Sequence, residues 1–369
     1  MSDNHRRYRS IKQALRQMYP QDVQGHAARK LNTLAALISG IVGSQRTNYA
    51  QIASKVPEAA TLESRVKRYS RWVKAGDRAE EDETPVVEML PFAGALLTAL
   101  STHTLVVVMD GSEVGRGCLA LVVSVLYRGR ALPLAWLVVR GSKGHFPAET
   151  HVHLLAEVQT HLPEGAEVVF LGDGEFDSVE LQTALQTLPW AYVCRTAKNT
   201  LLGEDGVTFS GQEVLLGPGD LLSLPEVTFT QQGFGPVHVL AWWRIGSQAP
   251  LFLVTNLELA EEACHWYQKR FRIETFFSDQ KSRGFHLHKS HLARPERLAR
   301  LMIAACLAYI WVVYLGNHVQ KTGQVGLIHR TDRCDLSLFQ LGLRWLAYLL
   351  DHEEELPVAF TVSLECFVR

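Results

Sequence analysis

HTLVVVMDGSEVGRGCLALVVSVLYRGRALPLAWLVV, residues 103–139, decides the fold. Its opening run, TLVVVM, is β-branched and aliphatic throughout, the composition of a strand covered on both faces. The two apolar runs that follow flank YRGRALP and read as a hairpin. Downstream, ETHVHLLAEVQTHL is helical, and EVVFLGDGEF is a second buried strand that ends at an aspartate. DSVELQTALQTL is a helix and WAYVCRTA a strand. Three strands followed by alternating helix and strand predict a mixed α/β sheet.

From about Lys198 to Gln248 the chain turns rich in Gly, Thr, Pro and Val, with short alternating runs such as GVTFSG and PVHVLAWWRIG. This reads as a β insertion. APLFLVTNLE returns to a strand, and the sequence beyond EEACHWYQ is mostly helical. Upstream of the sheet, VVEMLPFAGALLTAL is a helix. AGDRAEEDETP, residues 75–85, is acidic, polar and ends in proline, so it reads as a linker. Before it, TNYAQIASKVPEAATLESRVKRYSRWVKAG reads as two helices split at Pro57. The chain shows no internal repeat.

The composition bounds the function. The chain has 369 residues, 47% hydrophobic and 20% charged, which is ordinary globular usage with enough length for a large core. Six scattered cysteines without a C-x-x-C pair predict neither a disulfide framework nor a structural zinc site. The polar, basic start carries no signal-peptide pattern. The longest apolar run, 301–316, is shorter than the roughly 18 residues that read as a membrane span, and predicts a buried core helix. The histidines of GFHLHKSH (286, 288 and 291) fit no zinc spacing and predict a polar loop or a DNA contact.

A net charge of −1 hides an asymmetry: up to Lys74 the chain carries fourteen Lys and Arg against four Asp and Glu. Such a basic region predicts a polyanionic partner, most simply nucleic acid. The second helix of the pair carries Arg65, Lys67, Arg68, Arg71 and Lys74, much of it on one broad side, as a helix docking on DNA requires.

Two acids occupy matching places. Asp110 follows TLVVVM and Asp173 follows VVFLG, and each precedes a glycine. A carboxylate at a strand end is held rigidly, as a metal ligand must be. Gly111 and Gly174 would let a bulky polyanion approach the backbone. Glu113 and Glu175 read as turn acids. Asp177 opens DSVE and reads as an N-cap, with Glu180 reaching back. The third acid lies in YQKRFRIETFFSDQK, residues 267–281. Written as a helix at about 100° per residue, Tyr267, Arg270, Glu274 and Lys281 fall within roughly 60° of arc. The face joins a hydroxyl, a carboxylate and two cations, which suits a helix lying along DNA with its glutamate on a metal.

With these residues in view, the sequence resembles the DDE transposases of the insertion-sequence-four family. Tyr267, Arg270, Glu274 and Lys281 match the family's Y-(2)-R-(3)-E-(6)-K signature. The resemblance implies an RNase H-like catalytic core with a β-rich insertion, Asp110, Asp173 and Glu274 as triad, and two Mg²⁺ ions per site, with Mn²⁺ able to substitute. Asp110 would bridge the ions, with Asp173 and Glu274 holding one each. The implied organisation is a helical DNA-binding domain (1–75), linker and connecting helix (76–103), and first part of the core (104–196). The β-rich insertion (197–250), second part of the core (251–300) and helical C-terminal region (301–369) complete it.

The implied activity is cut-and-paste transposition: binding of inverted-repeat ends, hydrolysis, a hairpin intermediate and joining of 3′-hydroxyl ends to target DNA. Its setting would be a homodimeric synaptic complex on DNA in a prokaryotic cytoplasm. Arg270 and Lys281 would hold phosphates, with Arg195 and Lys198 as further contacts. Trp242 and Trp243 are either core residues or the plate for a flipped base. Where the family often has arginine after the second aspartate, this chain has Gly174. A chemically idle DNA-binding descendant and a nuclease without strand transfer are the alternatives.

Overall fold

The computed structural model describes residues 1–18, 23–74, 86–141, 146–330 and 332–363. The expected linker, 75–85, lies outside them. Ten strands form a single sheet ordered β3-β2-β1-β4-β5-β10-β9-β8-β6-β7. The central strands are β1 (Leu105–Gly115), β2 (Cys118–Tyr127), β3 (Arg130–Arg140), β4 (Val168–Gly172) and β5 (Ala191–Thr196). β1 pairs antiparallel with β2 and β2 with β3, while β1, β4 and β5 run parallel. This 3-2-1-4-5 order makes the mixed sheet that the sequence predicts.

The apolar runs behave as their composition dictates. β1 is buried at every position from Leu105 to Met109, and β2 at every position but Leu126. The β2–β3 turn is two residues long, with positive φ at both Arg128 and Gly129, the twist that favours a tight hairpin. Pro133 sits in β3, at the edge of the sheet, where a missing N–H is tolerated.

The insertion does not stand apart. β6 (Leu201–Glu204), β7 (Val207–Ser210), β8 (Leu221–Phe229) and β9 (Phe234–Trp242) join the sheet through β10 (Leu251–Thr255), which pairs antiparallel with β5 and β9. The insertion thereby lengthens the sheet beyond β5.

Helices cover the central strands. α5 (Val86–Leu100), α6 (Ala148–Gln159), α9 (Ile273–Gln280) and α10 (Pro295–Lys321) all pack on β3, while α7 (Val179–Thr187) packs on α6 and α8 (Ala260–Tyr267) on β4 and β5. α10 starts with proline in its first turn, where the absent N–H would be unpaired anyway. It is long and apolar enough to cross a membrane, yet its apolar window is 94% buried inside the protein, as expected of a core helix. α11 (Leu338–Asp351) lies against it.

α1 (Asp3–Gln17), α2 (Gly25–Ser44), α3 (Tyr49–Ser54) and α4 (Leu62–Lys74) form the N-terminal layer, and the break between the last two falls around Pro57. α2 and α4 pack against α10. Part of the basic excess is consumed by the fold. Arg6 donates to the carbonyls of Leu349, Leu350 and Glu354 at the end of α11. Arg7 is buried and donates to Ser39 O (2.9 Å), Asn4 Oδ1 (2.7 Å) and Lys55 O (3.1 Å). Its guanidinium pKa is lowered to about 10 by burial.

Candidate active site

Strand register brings the two aspartates together. The parallel β1–β4 pairing runs from Leu105 opposite Val168 to Val108 opposite Leu171. Two residues further along each segment come Asp110, still within β1, and Asp173, in the turn just past β4. The β4–β5 pairing ends with Gly172 opposite Cys194, which sets Arg195 beside Asp173 one step later. The two aspartate side chains reach the same guanidinium, that of Arg270. β1 does not end at Asp110 as expected; it continues to Gly115 on β2 alone. The pair therefore occupies the notch where β4 stops, at the carboxyl ends of parallel strands, where open α/β sheets bind ligands.

The turn after β4 is tight. Phe176 N donates to Asp173 O (3.0 Å), and Glu175 N donates to Asp173 Oδ1 (3.0 Å). A side chain at Gly172 would meet Phe176 Cβ at 2.5 Å, so the turn folds flat onto the strand only over glycine. Gly111 also makes room for the protein itself: its Cβ would lie 3.3 Å from the Phe146 ring. That corrects the reading of Gly111 as space for a polyanion. Gly174 has open space around it.

The third acid arrives on a broken helix. Residues 267–281 are not the single straight helix that the stripe assumes. α8 ends at Tyr267, Arg270–Arg272 form a 3₁₀ turn, and α9 starts at Ile273. No Gly or Pro marks the break. Ile273, Phe276 and Phe277 of α9 are buried, with Phe276 edge-on to Tyr309 of α10. Glu274 faces outward.

Two of the signature residues, Arg270 and Glu274, nonetheless meet the two aspartates. The Arg270 guanidinium reaches Asp110 Oδ2 at 3.6 Å, Asp173 Oδ2 at 3.8 Å and Glu274 Oε1 at 3.2 Å. Three carboxylates from three separate elements thus surround one cation. Glu274 is 63% exposed and Asp110 only 18%, so the glutamate is the outer arm of the site. The Asp110 carboxyl is pushed up to about 6, first by burial and then by Asp173, while Arg270 and the Gly111 N–H oppose the shift. Two residues along β1 from Asp110, Ser112 Oγ accepts from Lys281 Nζ (2.7 Å). Burial lowers the Lys281 pKa, against the pull of Glu113 and Asp110.

A groove adjoins the acids. Arg195, Trp242, Arg244, Leu251, Tyr267 and Arg270 line a cavity of about 200 Å³, together with Gln268 and Phe271. The Arg244 guanidinium lies 5.4 Å from the centre of the Trp242 ring. Burial pushes the Tyr267 hydroxyl up to about 12, with Arg270 and Arg195 pulling the other way. Trp243 is turned away, its Nε1 donating to Ser247 O (3.1 Å). Lys198 is exposed in the turn after β5 and does not line the groove. Sequence reasoning passed over Arg244, although it shares the strand parity of Trp242.

Several expectations need correcting. Ser178, not Asp177, caps α7 by accepting from Leu181 N (3.2 Å). Asp177 instead accepts from Thr196 Oγ1 on β5 (2.7 Å). Glu175 is no solvated turn acid: its side chain is 14% exposed and accepts from Phe146 N. On α4, Arg65 donates to the carbonyls of Ala53 and Val56, and Arg68 pairs with Glu58 at 2.6 Å. These two cations tie α4 to the preceding segment. Lys67, Arg71 and Lys74 are exposed, although Lys67 pairs with Glu63 at 2.9 Å. His286 and His288 stand with ring centres 5.8 Å apart, and His291 meets Arg116.

Among the described residues, no three His, Cys, Asp or Glu side chains are grouped closely enough to hold an ion directly. Asp110, Asp173 and Glu274 are spread around a guanidinium instead. Its donor set still suits a hard divalent cation, because all three groups offer carboxylate oxygen. The positive charge among them is the chain's own Arg270 guanidinium. Cysteines 118, 194, 264 and 306 are buried and free, Cys334 is exposed and free, and Cys366 lies outside the described residues.

Comparison with known proteins gives one family match: the transposase DDE domain, over residues 105–311. No curated protein matches the chain. Among solved structures, the chain is similar to the piggyBac transposase synaptic complex with hairpin DNA, at 10% identity and a TM-score of 0.47, covering 95% of this chain and 78% of that one. It is also similar to the catalytic domain of human endonuclease V, at 16% identity and a TM-score of 0.27, covering 73% and 100%.

Proposed function

The chain belongs to the transposase DDE-domain family, and from that premise we propose that it is a cut-and-paste DNA transposase of the insertion-sequence-four type. In this reading it binds the inverted-repeat ends of a mobile element, hydrolyses the phosphodiester at each end, and joins the freed 3′-hydroxyls to target DNA. A hairpin on the opposite strand releases the element, and the work is done by a homodimer on paired ends. The observation that carries the reading is the meeting of Asp110, Asp173 and Glu274 around one guanidinium.

Asp110, Asp173 and Glu274 are the residues that would hold Mg²⁺ or Mn²⁺. When bound, such ions supply Lewis-acid neutralisation of the phosphodiester and activation of the attacking hydroxyl. The chain's own groups do the rest. Arg270, which lies among the carboxylates, would hold a DNA phosphate. Lys281, fixed on Ser112, holds phosphate two residues along β1 from Asp110. Arg195 and Arg244 clamp the strand entering the groove, and Trp242 offers a face on which an unstacked base can rest. Lys67, Arg71 and Lys74 of α4, with Arg9, Lys12 and Arg16 exposed or half-buried along α1, contact backbone phosphates of the ends. Those contacts position the DNA without reading its sequence.

The test uses DNA bearing the inverted ends that flank the gene. With Mg²⁺, the protein should release 3′-hydroxyl ends and join them to a plasmid; with chelator it should bind without cutting. Cutting without joining would reduce the activity to that of a nuclease. Binding without cutting in Mg²⁺ or Mn²⁺ would leave an idle DNA-binding protein.

A further inference from the structure

A fourth acid belongs to the site. Glu175 lies two residues beyond Asp173, in the turn that carries it. One carboxylate oxygen, Oε1, accepts from Phe146 N at 2.7 Å and lies 3.5 Å from His151 Nε2. The other, Oε2, lies 4.0 Å from where a side chain on Gly111 would begin, next to Asp110. His151 is 1% exposed and stacks at a tilt on Phe176, with ring centres 4.7 Å apart. Glu175 thus reaches from the Asp173 turn to the segment entering α6 and to the rim of β1.

This contact has mechanical consequences. Asp173 stands outside β4, and among the described residues no ladder hydrogen bond fixes it. Its turn is held from below by Phe176, seated on Gly172, with Gln182 Nε2 donating to Phe176 O (3.4 Å), and from the side by Glu175, whose N–H donates to Asp173 Oδ1 and whose carboxylate accepts from Phe146 N. The Phe146 N–H is a directional donor from a different part of the chain, and shortening the Glu175 side chain by one carbon takes the carboxylate out of its reach.

We propose that Glu175 is a positioning residue for Asp173, acting through its hydrogen bond to Phe146 N rather than through its charge. The proposal rests on Asp110 and Asp173 being the paired acids of the site. Outer partners of metal-ligating groups commonly affect affinity or activity by about 10–100-fold, and the same range is expected here.

Three variants separate hydrogen bond from charge. Glu175→Gln keeps the acceptor and loses the charge; it should retain cleavage and Mn²⁺ affinity within about 3-fold. Glu175→Asp keeps the charge and loses the reach; it should lose about 10-fold or more in kcat for 3′-hydroxyl release and in Mn²⁺ affinity, with KM for DNA unchanged. Glu175→Ala should match Glu175→Asp. Mn²⁺ affinity is read by electron paramagnetic resonance on the full chain, so this arm reports even if the wild type cuts no DNA, the outcome that would sink the transposase reading by itself. Thermal melts exclude unfolding. An unimpaired Glu175→Asp overturns the proposal, and so does a Glu175→Gln as damaged as Glu175→Ala.

Discussion

Replacing Arg270 by Gln should change two properties in opposite directions. Its guanidinium sits 3.2–3.8 Å from three carboxylates. Each contact carries a gross Coulomb attraction of about 4–5 kcal/mol at an effective dielectric of about 20, most of it offset by desolvation and solvent screening. Only the Glu274 contact meets hydrogen-bond criteria, and one hydrogen bond to a charged group is worth about 1.5–3 kcal/mol net. A divalent cation entering the wild-type site must displace that interaction. In Arg270→Gln it need not, so Mn²⁺ binding to the DNA-free protein should tighten by roughly 10–100-fold. Cleavage should fall, because the proposed mechanism uses the same guanidinium on a DNA phosphate.

The measurement belongs at pH 8. Arg270 holds the Asp110 pKa down against burial, so the variant's Asp110 titrates above about 6 and must be kept ionised. In the wild type itself, cation affinity should rise as pH passes upward through about 6. The linked stability has the opposite sign. The folded pKa lies above the ordinary value of 3.8, so Asp110 favours the metal-free fold fully below that value and loses this contribution as pH rises through about 6. Weaker Mn²⁺ binding by Arg270→Gln at pH 8 would refute the role of Arg270 as the site's resident cation.

Other outcomes follow from named contacts. Trp242→Ala should weaken binding of DNA with an unpaired end base by about 1–3 kcal/mol, the value of one base–aromatic stack, while Trp243→Ala leaves fluorescence-anisotropy titrations unchanged. Arg130→Met removes the partner of buried Asp279, which it meets at 2.8 Å, and should cost about 3–5 kcal/mol in urea melts. Asp279, already pushed up to about 6 by burial against the pull of Arg130, should then titrate higher, and the variant should lose stability as pH rises through that range. Lys67→Gln and Arg71→Gln should each lower the salt slope of DNA binding by about 1, with melting unchanged. Arg65→Gln should instead lower the melting temperature, because its donors hold the carbonyls of Ala53 and Val56.

Much of this architecture could be read along the chain, because the information was local. Continuous apolar runs foretold strands buried on both faces, YRGRALP its hairpin, and Pro57 the helix break. Asp110 and Asp173 were identifiable from their place after such runs, and the 3-2-1-4-5 order then brings them together. What escaped was non-local. The stripe from Tyr267 to Lys281 assumed one straight helix, whereas the chain breaks after Tyr267 without Gly or Pro to announce it, and tertiary packing of Ile273, Phe276 and Phe277 fixes α9. Arg65 and Arg68 look no different in sequence from Lys67 and Arg71; only the carbonyls and Glu58 beside them reveal which cations the fold retains. Asp177 and Ser178 are both good capping residues, and Thr196, nineteen positions away on β5, draws the aspartate elsewhere. Glu175 looks like a turn acid until Phe146 is placed beside it.

Iron-directed cleavage of the polypeptide tests the central claim most directly. Fe²⁺ bound in place of Mg²⁺, with ascorbate and peroxide, generates hydroxyl radicals that cut the nearest backbone. Cuts clustered near residues 110, 173 and 274, suppressed by excess Mg²⁺ and lost in Asp110→Asn, are the predicted result. Cuts confined to other segments, or a pattern indifferent to Asp110→Asn, would contradict a site shared by the three carboxylates.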